Sequence, residues 1–317
     1  FPVCVLGAYW KKKFGIPYVI DMQDPWHSDY YQDKPKQQRP PKYWFAYRLN
    51  KYLEPIAIKK AAGLISVSSA YIDDLKVRYP EIQNIPAATI PFGAFAPDMQ
   101  IAAGHQNGFT RLLSGETVNL VYAGRGGNDM HKAVRPVFEA LRSGMEKYPD
   151  ILGRLKLYFI GTSYAPAGTG KPSIIPLAAA YGVAGQVVEI TGRIGFYHTL
   201  YTLQQADALF IPGSDDAKYS ASKIYPYLLT CKPLLAVFHK DSPAITIMRE
   251  YGVKSVYSYD DVQAEVLRDF LINTALKRSA AAVYAPDVTE KYSARHMTAR
   301  QCHIFNMVTA GTHQANF

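Results

Sequence analysis

Gly124, Gly126 and Gly127 surround Arg125 in the stretch YAGRGGNDMHKAVRPVFEAL, and Lys132 follows seven residues after the arginine. These residue types suit an anion. Glycine lets a backbone approach a ligand closely and adopt positive φ. A helix N-terminus adds free N–H groups and the positive end of its dipole. Arginine offers phosphate oxygens a planar fork, and lysine a point charge. Asn128 or Asp129 is placed to cap the helix, in which Val134, Val137, Phe138 and Leu141 recur at helical spacing. An ordinary strand-to-helix turn with two solvated cations uses the same residues, so the turn alone leaves both readings open.

Two nucleotide motifs fail here. A dinucleotide fingerprint needs a third glycine where Asp129 stands. Gly170-Lys171 suggests a Walker loop, but Ala165 replaces its first glycine and Pro172 its hydroxyl residue. Other residues with chemical potential also end apolar runs: Gly161, then Arg193-Ile194, then Asp215-Asp216, then Ser222-Lys223-Ile224 opening a helix. Earlier, Asp24 and His27 follow the run PYVID. Asp24 is either a carboxylate that orients or deprotonates a hydroxyl or a turn cap before Pro25, and His27 either joins it or is a surface histidine. No D-x-D motif and no His/Cys constellation offers a metal site. Cys4, Cys231 and Cys302 are isolated from one another, which excludes a zinc knuckle or redox pair and favours a reducing compartment.

Elements must bring these residues together. Apolar runs predict strands at 17–21, 64–67, 118–122, 155–160, 187–190, 208–211 and 234–238. Helical periods fit 43–62, 132–147, 174–181, 196–206, 222–229, 242–251, 261–278 and 291–308, and Ser69 is placed to cap a further helix. Strands alternating with helices predict a parallel sheet covered on both faces, with ligands at the carboxyl ends of its strands. The polar stretch 104–117 reads as a hinge between domains.

The 317 residues suit about two domains, and 48% apolar against 19% charged residues excludes global disorder. No apolar run reaches membrane-spanning length, and neither a transmembrane helix nor a signal peptide is expected among these residues. The chain opens on Phe1 in mid-pattern, and the natural protein is expected to begin further upstream. Residues 1–60 hold eleven basic and five acidic residues, so two-thirds of the net charge of +9 lies there. Such a surface attracts anionic lipid, nucleic acid or a phosphorylated substrate, or is simply a solvated basic face.

The order of the pieces carries more than any one of them. Gly124-Arg125 with Lys132, FIG (159–161), VVEITGRI (187–194), ADALFIPGS (206–214) and SKIYPYLLTCKPLLA (222–236) follow one another. This series resembles the family-four retaining glycosyltransferases. GIPYVIDMQDPW (15–26) and TIPFGAFAPD (89–98) resemble segments of that family's acceptor side. The resemblance implies an α/β fold of two Rossmann-like domains, the GT-B architecture, with the first domain incomplete and a C-terminal helix crossing back to it. It divides the chain into an acceptor-side domain, 1–112 with helix 288–317, and a donor-side domain, 113–287. It further implies transfer of a sugar, with retention, from a nucleotide-diphosphate sugar. No metal and no cofactor would serve, the leaving diphosphate being stabilised by Arg125 and Lys132 at about 2–4 kcal/mol per contact. Gly124, Gly126 and Gly161 would shape the donor site, and Arg193 and Ile194 would border the base. Ser222 and the N–H groups opening the helix of Lys223 and Ile224 would hold ribose or the distal phosphate. Asp24, with His27, would face the acceptor, a saccharide or a lipid-linked group. The expected setting is cytoplasmic, with peripheral contact at an anionic inner membrane face. Nucleic acid is not an expected partner, since the basic excess lacks any motif for it.

The chain departs from the family at its paired glutamates, whose positions fall on Lys218 and Pro226. Asp215 and Asp216 are the nearest replacements for the first. Two alternatives are therefore kept: a GT-B nucleotide-sugar epimerase, which needs carboxylates and histidines in its cleft, and a non-catalytic nucleotide-sugar-binding protein.

Overall fold

The computed structural model describes residues 2–166, 168–219 and 221–313. In chain order its elements are α1 (Val5–Phe14), β1 (Val19–Met22), α2 (Tyr43–Ile58), β2 (Gly63–Ser66), α3 (Ser69–Arg78) and β3 (Ala87–Thr89). There follow α4 (Pro97–Gly104), β4 (Val118–Ala123), α5 (His131–Lys147), α6 (Pro149–Leu152), β5 (Leu155–Ile160), α7 (Ile175–Ala180), β6 (Val187–Ile190) and α8 (Phe196–Gln205). The chain continues through β7 (Ala208–Pro212), α9 (Ile224–Leu229), β8 (Leu234–Phe238), α10 (Pro243–Glu250), β9 (Val256–Ser258), α11 (Ala264–Ala275), α12 (Pro286–Lys291) and α13 (Ala294–His313). One unit runs to Phe92 and resumes at Ala294; the other is Gly93–Ser293.

The first unit carries a parallel sheet in the order β1-β2-β3. Alternation along β2 sends Leu64 into a core with Ile20, Met22, Trp26, Ile58 and Leu75, and Ile65 into a second cluster with Ile90, Met297, Ile304 and Val308. That second cluster is where α13 covers the sheet. Gly63 makes this approach possible, because a Cβ there would come within 2.9 Å of Val308 Cγ2. Arg300 on α13 donates to the Thr89 carbonyl at the end of β3 (2.8 Å). The C-terminal helix thus returns to the first unit.

The second unit carries a parallel sheet in the order β6-β5-β4-β7-β8-β9. Every residue of β4, β7 and β8 is buried, as strands covered on both faces require. Helix α5 presents Ala133, Val134, Val137, Phe138, Leu141 and Gly144 inward at helical spacing, and it packs on α11. Fully burying a side chain such as Phe138 contributes about 2–3 kcal/mol.

The unit boundaries fall at 92/93 and 293/294, where the motif order placed them at 112/113 and 287/288. The stretch read as a hinge belongs to the second unit for a visible reason. Helix α4 packs on α8, where Tyr197 Oη donates to Asp98 (3.1 Å) and Gln204 Nε2 to the Met99 carbonyl (2.9 Å). The Thr110 carbonyl lies 2.8 Å from His198 Nε2. Helix α1 was not anticipated, because its outward face is as apolar as its inward one and shows no amphipathic period.

Candidate functional site

Counted within the second unit, the strand order is 3-2-1-4-5-6, and the connection order reverses at β4. Ligands in such sheets bind at the carboxyl ends beside this reversal. β4 and β7 pair only at Leu120↔Ala208 and Val121↔Leu209. Beyond that the buried hydroxyl of Tyr227, on α9, satisfies both backbone groups of Ala123: it accepts from the N–H (2.7 Å) and donates to the carbonyl (3.2 Å). The ladder between the two strands therefore stops at Val121, before the strand end that leads to Arg125.

Arg125 occupies this end of β4. Its Nη1 and Nη2 donate to the two carboxylate oxygens of Asp129, at 2.9 and 2.6 Å. The Ser214 hydroxyl donates to the same carboxylate (3.0 Å), and the Asp129 carbonyl accepts the N–H of Asp215 (2.8 Å). Asp129 therefore ties the loop after β4 to the loop after β7 and fixes the guanidinium. Donating to the Asp129 carboxylate holds the pKa of Arg125 above its already high ordinary value. Burial works against the Asp129 carboxylate, but Arg125 and Ser214 outweigh it and hold its pKa below the ordinary range. The sequence suggested a helix cap for Asp129. The structure gives it the arginine instead, and α5 begins at His131 without a side-chain cap.

The glycines matter for close packing. None of Gly124, Gly126 and Gly127 adopts positive φ, contrary to expectation, whereas Gly161 does (φ 77°). The N–H of Gly124 donates to Ile160 and that of Gly126 to Thr162, both at 2.8 Å, so neither is available to an anion. A Cβ on Gly124 would meet Lys223 Cε at 2.3 Å and Tyr122 Oη at 2.6 Å, and one on Gly126 would meet Ser173 Oγ at 2.6 Å. Glycine at 124 is what lets Lys223 lie across the strand end.

Lys223 is the deepest cation here. Its Nζ donates to Tyr122 Oη (3.0 Å), which in turn donates to the Arg125 carbonyl (2.9 Å). Burial first, then the charges of Arg125 and Arg193, push its pKa down to about 8. Arg193 is exposed after β6, its guanidinium 4.5 Å from the centroid of Tyr164. The structure thus brings Arg125, Lys223 and Arg193 into one field, which the Asp129 carboxylate opposes.

The remaining donor-side residues are placed differently. Lys132 is exposed on the first turn of α5, with its ammonium 5.9 Å from the centroid of Tyr259. Ile194 is half-buried, Ser222 is exposed in a turn, and Ile224 is fully buried. Helix α9 starts at Ile224, two residues later than expected, and has only six residues, so its dipole offers little. Pro226 sits inside it. Asp216 accepts the N–H of Lys218 (2.9 Å) and caps that turn. The Walker-like loop is organised by Glu189, whose carboxylate accepts the N–H groups of Ser173, Ile174 and Ile175 at 2.8–2.9 Å. That capping gives the loop a structural purpose.

In the first unit, Asp24 is exposed in the loop after β1. His27 is half-buried, with its ring 4.6 Å from that of Tyr47. Among the described residues neither of its ring nitrogens has a hydrogen-bond partner, and burial, followed by the charge of Arg78, lowers its pKa. Glu54, which sequence reasoning passed over, holds this loop. It is fully buried on α2, ion-paired with Arg78, and accepts from Tyr79 Oη (2.8 Å) and the His27 N–H (2.9 Å). Trp26 Nε1 donates to Asn50 on the same helix (3.0 Å).

No known family profile matches the chain, and no curated protein matches it. Solved structures do. The N-terminal domain of Candida albicans trehalose-6-phosphate phosphatase aligns with TM-score 0.59 at 13% identity, over 96% of this chain and 68% of that one. The UDP-forming α,α-trehalose-phosphate synthase of Burkholderia xenovorans in complex with glucose-6-phosphate gives 0.57 at 11%, over 96% and 71%. An E. coli structure bound with UDP-2-fluoro glucose gives 0.54 at 12%, over 96% and 76%. Likeness at such identities speaks for the fold. The chain has the GT-B fold of two Rossmann-like units. These neighbours are trehalose-phosphate synthases and a phosphatase domain; what they share with this chain is the architecture, and the family-four placement implied by the motif order goes further than that likeness. Among the described residues, no group of three or more His, Cys, Asp or Glu is arranged to hold a metal, and no helix is long and apolar enough to cross a membrane.

Proposed function

We propose that this chain is a glycosyltransferase that takes a sugar from a nucleotide-diphosphate donor and transfers it with retention. The observation that carries this reading is the cation group at the β4 switch point: Arg125 fixed by Asp129, and Lys223 held under Gly124. Breaking an anomeric C–O bond leaves charge on a diphosphate, and preorganised cations at that position stabilise it without reorganising. Arg125 supplies the planar fork, Lys223 a point charge from below, and Arg193 a third charge from the loop after β6. Lys132 is the outer member of the set. Asp24 acts on the acceptor hydroxyl, with His27 beside it, a role supported by the motif order. UDP is the first nucleotide to try and glucose-6-phosphate the first acceptor, because solved neighbours carry those names.

The test is a product assay with UDP-, GDP-, ADP- and dTDP-sugars in the presence of EDTA. The expected result is nucleotide-diphosphate release with sugar transfer and no loss to EDTA. Complete loss to EDTA overturns metal independence, and binding without transfer favours the second reading. That second reading, a nucleotide-sugar-binding protein, is supported by Pro226 in the position of the ribose-binding glutamate.

Lys223 makes donor binding pH-dependent. A bound diphosphate favours the charged ammonium, so its pKa rises on binding and a proton is taken up above about 8. Affinity is expected to be level below that pH and to fall above it. Calorimetry in two buffers of different ionisation enthalpy should show uptake of about half a proton at the folded pKa. Lys223→Met should abolish the uptake; a wild-type uptake of zero removes Lys223 from the site. The ligand-free protein should behave in the opposite sense. Its folded pKa lies below the ordinary lysine value, so it gains stability as pH rises above about 8.

A further inference from the structure

Helix α1 leaves an apolar face in water. Inward it uses Ala8, which is buried, Gly7, where a Cβ would strike Tyr18 at 2.6 Å, and Val5, which packs on the core. Outward, at helical spacing, it shows Leu6, Tyr9, Trp10, Lys13 and Phe14; Trp10 is 50% and Phe14 58% exposed. The Lys13 ammonium lies over the exposed rings, 5.8 Å from the Tyr9 centroid and 5.1 Å from that of Phe14, so a cation is set among the aromatics of this face.

Helix α2, on which α1 packs, repeats the pattern. Trp44 (64% exposed), Arg48 and Tyr52 (69% exposed) stand four residues apart, with the Arg48 guanidinium 5.8 Å from the Trp44 ring centroid. Phe45 and Ile56 flank this stripe and are exposed too. Acids are sparse along the two helices, although the Asp29 carboxylate accepts from Tyr47 Oη on α2 (2.8 Å) and Glu81 pairs with Lys59 just past its end. Residues 2–20 contain none, and between Lys34 and Tyr71 Glu54 alone is acidic, buried against Arg78. Lys12, Lys42 and Lys51 are exposed around the same helices.

We propose that the outward faces of α1 and α2 dock on the surface of an anionic membrane. Aromatic rings with a polar edge settle at the headgroup level, aliphatic Leu6 and Ile56 gain from the acyl boundary, and lysines and arginines meet anionic headgroups. Nucleic acid would use the charge and the rings but gives leucine and isoleucine no apolar medium. At ten residues, about 15 Å, α1 lies in the interface and does not span it.

The test uses the full chain with vesicles of phosphatidylcholine, alone or mixed with phosphatidylglycerol at about one part in three. Sedimentation with the anionic vesicles is expected at low salt, with little on phosphatidylcholine alone. Salt near 1 M, where the screening length is about 3 Å, should release most of the protein. Lys12→Ser with Lys13→Ser should weaken partitioning about 30-fold, from about 1 kcal/mol per lysine. Trp10→Ser with Phe14→Ser should weaken it at every salt concentration. All four residues are exposed, and an unchanged thermal unfolding curve verifies that the variants are folded. Brominated lipid should quench Trp10 and Trp44 but spare buried Trp26. The proposal is overturned by absence of anionic-vesicle binding at low salt, by parent-like binding of both variant pairs, or by retention on an RNA homopolymer without vesicle binding.

Discussion

Arg125→Ala is expected to lower the affinity for UDP by about 10- to 100-fold, the range of a charge-assisted hydrogen bond lost from a phosphate site. The transfer rate should fall further, by about 2–4 kcal/mol of transition-state stabilisation, because negative charge on the diphosphate grows as the anomeric bond breaks. Removing the guanidinium also leaves the Asp129 carboxylate facing the ligand with only the Ser214 hydroxyl as side-chain donor, so one favourable charge goes and an unfavourable one is uncovered. Arg125→Lys keeps the charge but loses the fork held by Asp129, and should fall between alanine and wild type. Isothermal calorimetry with UDP checks both. Unchanged affinity in Arg125→Ala and in Lys132→Ala alike removes the diphosphate site from the second unit.

The second large effect is on stability. Glu54→Ala is expected to destabilise the first unit by about 3–5 kcal/mol, the cost of breaking a buried ion pair from one side. Arg78 is one-third exposed and can turn toward water, which places the expected value at the lower end. The Tyr79 hydroxyl and the His27 N–H lose their acceptor as well, and the loop carrying Asp24 loses its anchor. Tryptophan fluorescence is a selective probe, since Trp10, Trp26 and Trp44 all lie in the first unit and Trp26 sits in its core. The urea midpoint read by that emission should drop sharply; a midpoint equal to wild type means Glu54 does not hold this unit together.

Much of the architecture was legible in residue order. The strands at 155–160, 187–190 and 234–238 carry their predicted bounds, because an apolar run bounded by turn residues leaves a buried parallel strand little freedom. Gly124-Arg125 was singled out correctly as the end of the central strand. Helix α1 was invisible, since periodicity detects a helix by the contrast of its faces and this one has little. The bond between Arg125 and Asp129 was hidden too. Their spacing of four suggests a helical pair, but the chain between them is a turn, and a carboxylate after two glycines looks like a cap.

What the sequence alone determined is the alternation of strands and helices, the position of each strand-end loop and the concentration of cations among them. Tertiary structure decided which of those cations stand near one another. Arg125, Arg193 and Lys223 stand far apart in the chain and act on one another because β4 lies at the centre of its sheet and α9 returns beneath Gly124. Lys132, only seven residues from Arg125, lies beside Tyr259 from the loop after β9. Spacing along a chain fixes proximity only within an element. Between elements it is set by strand order, and strand order is decided by the packing of the whole sheet.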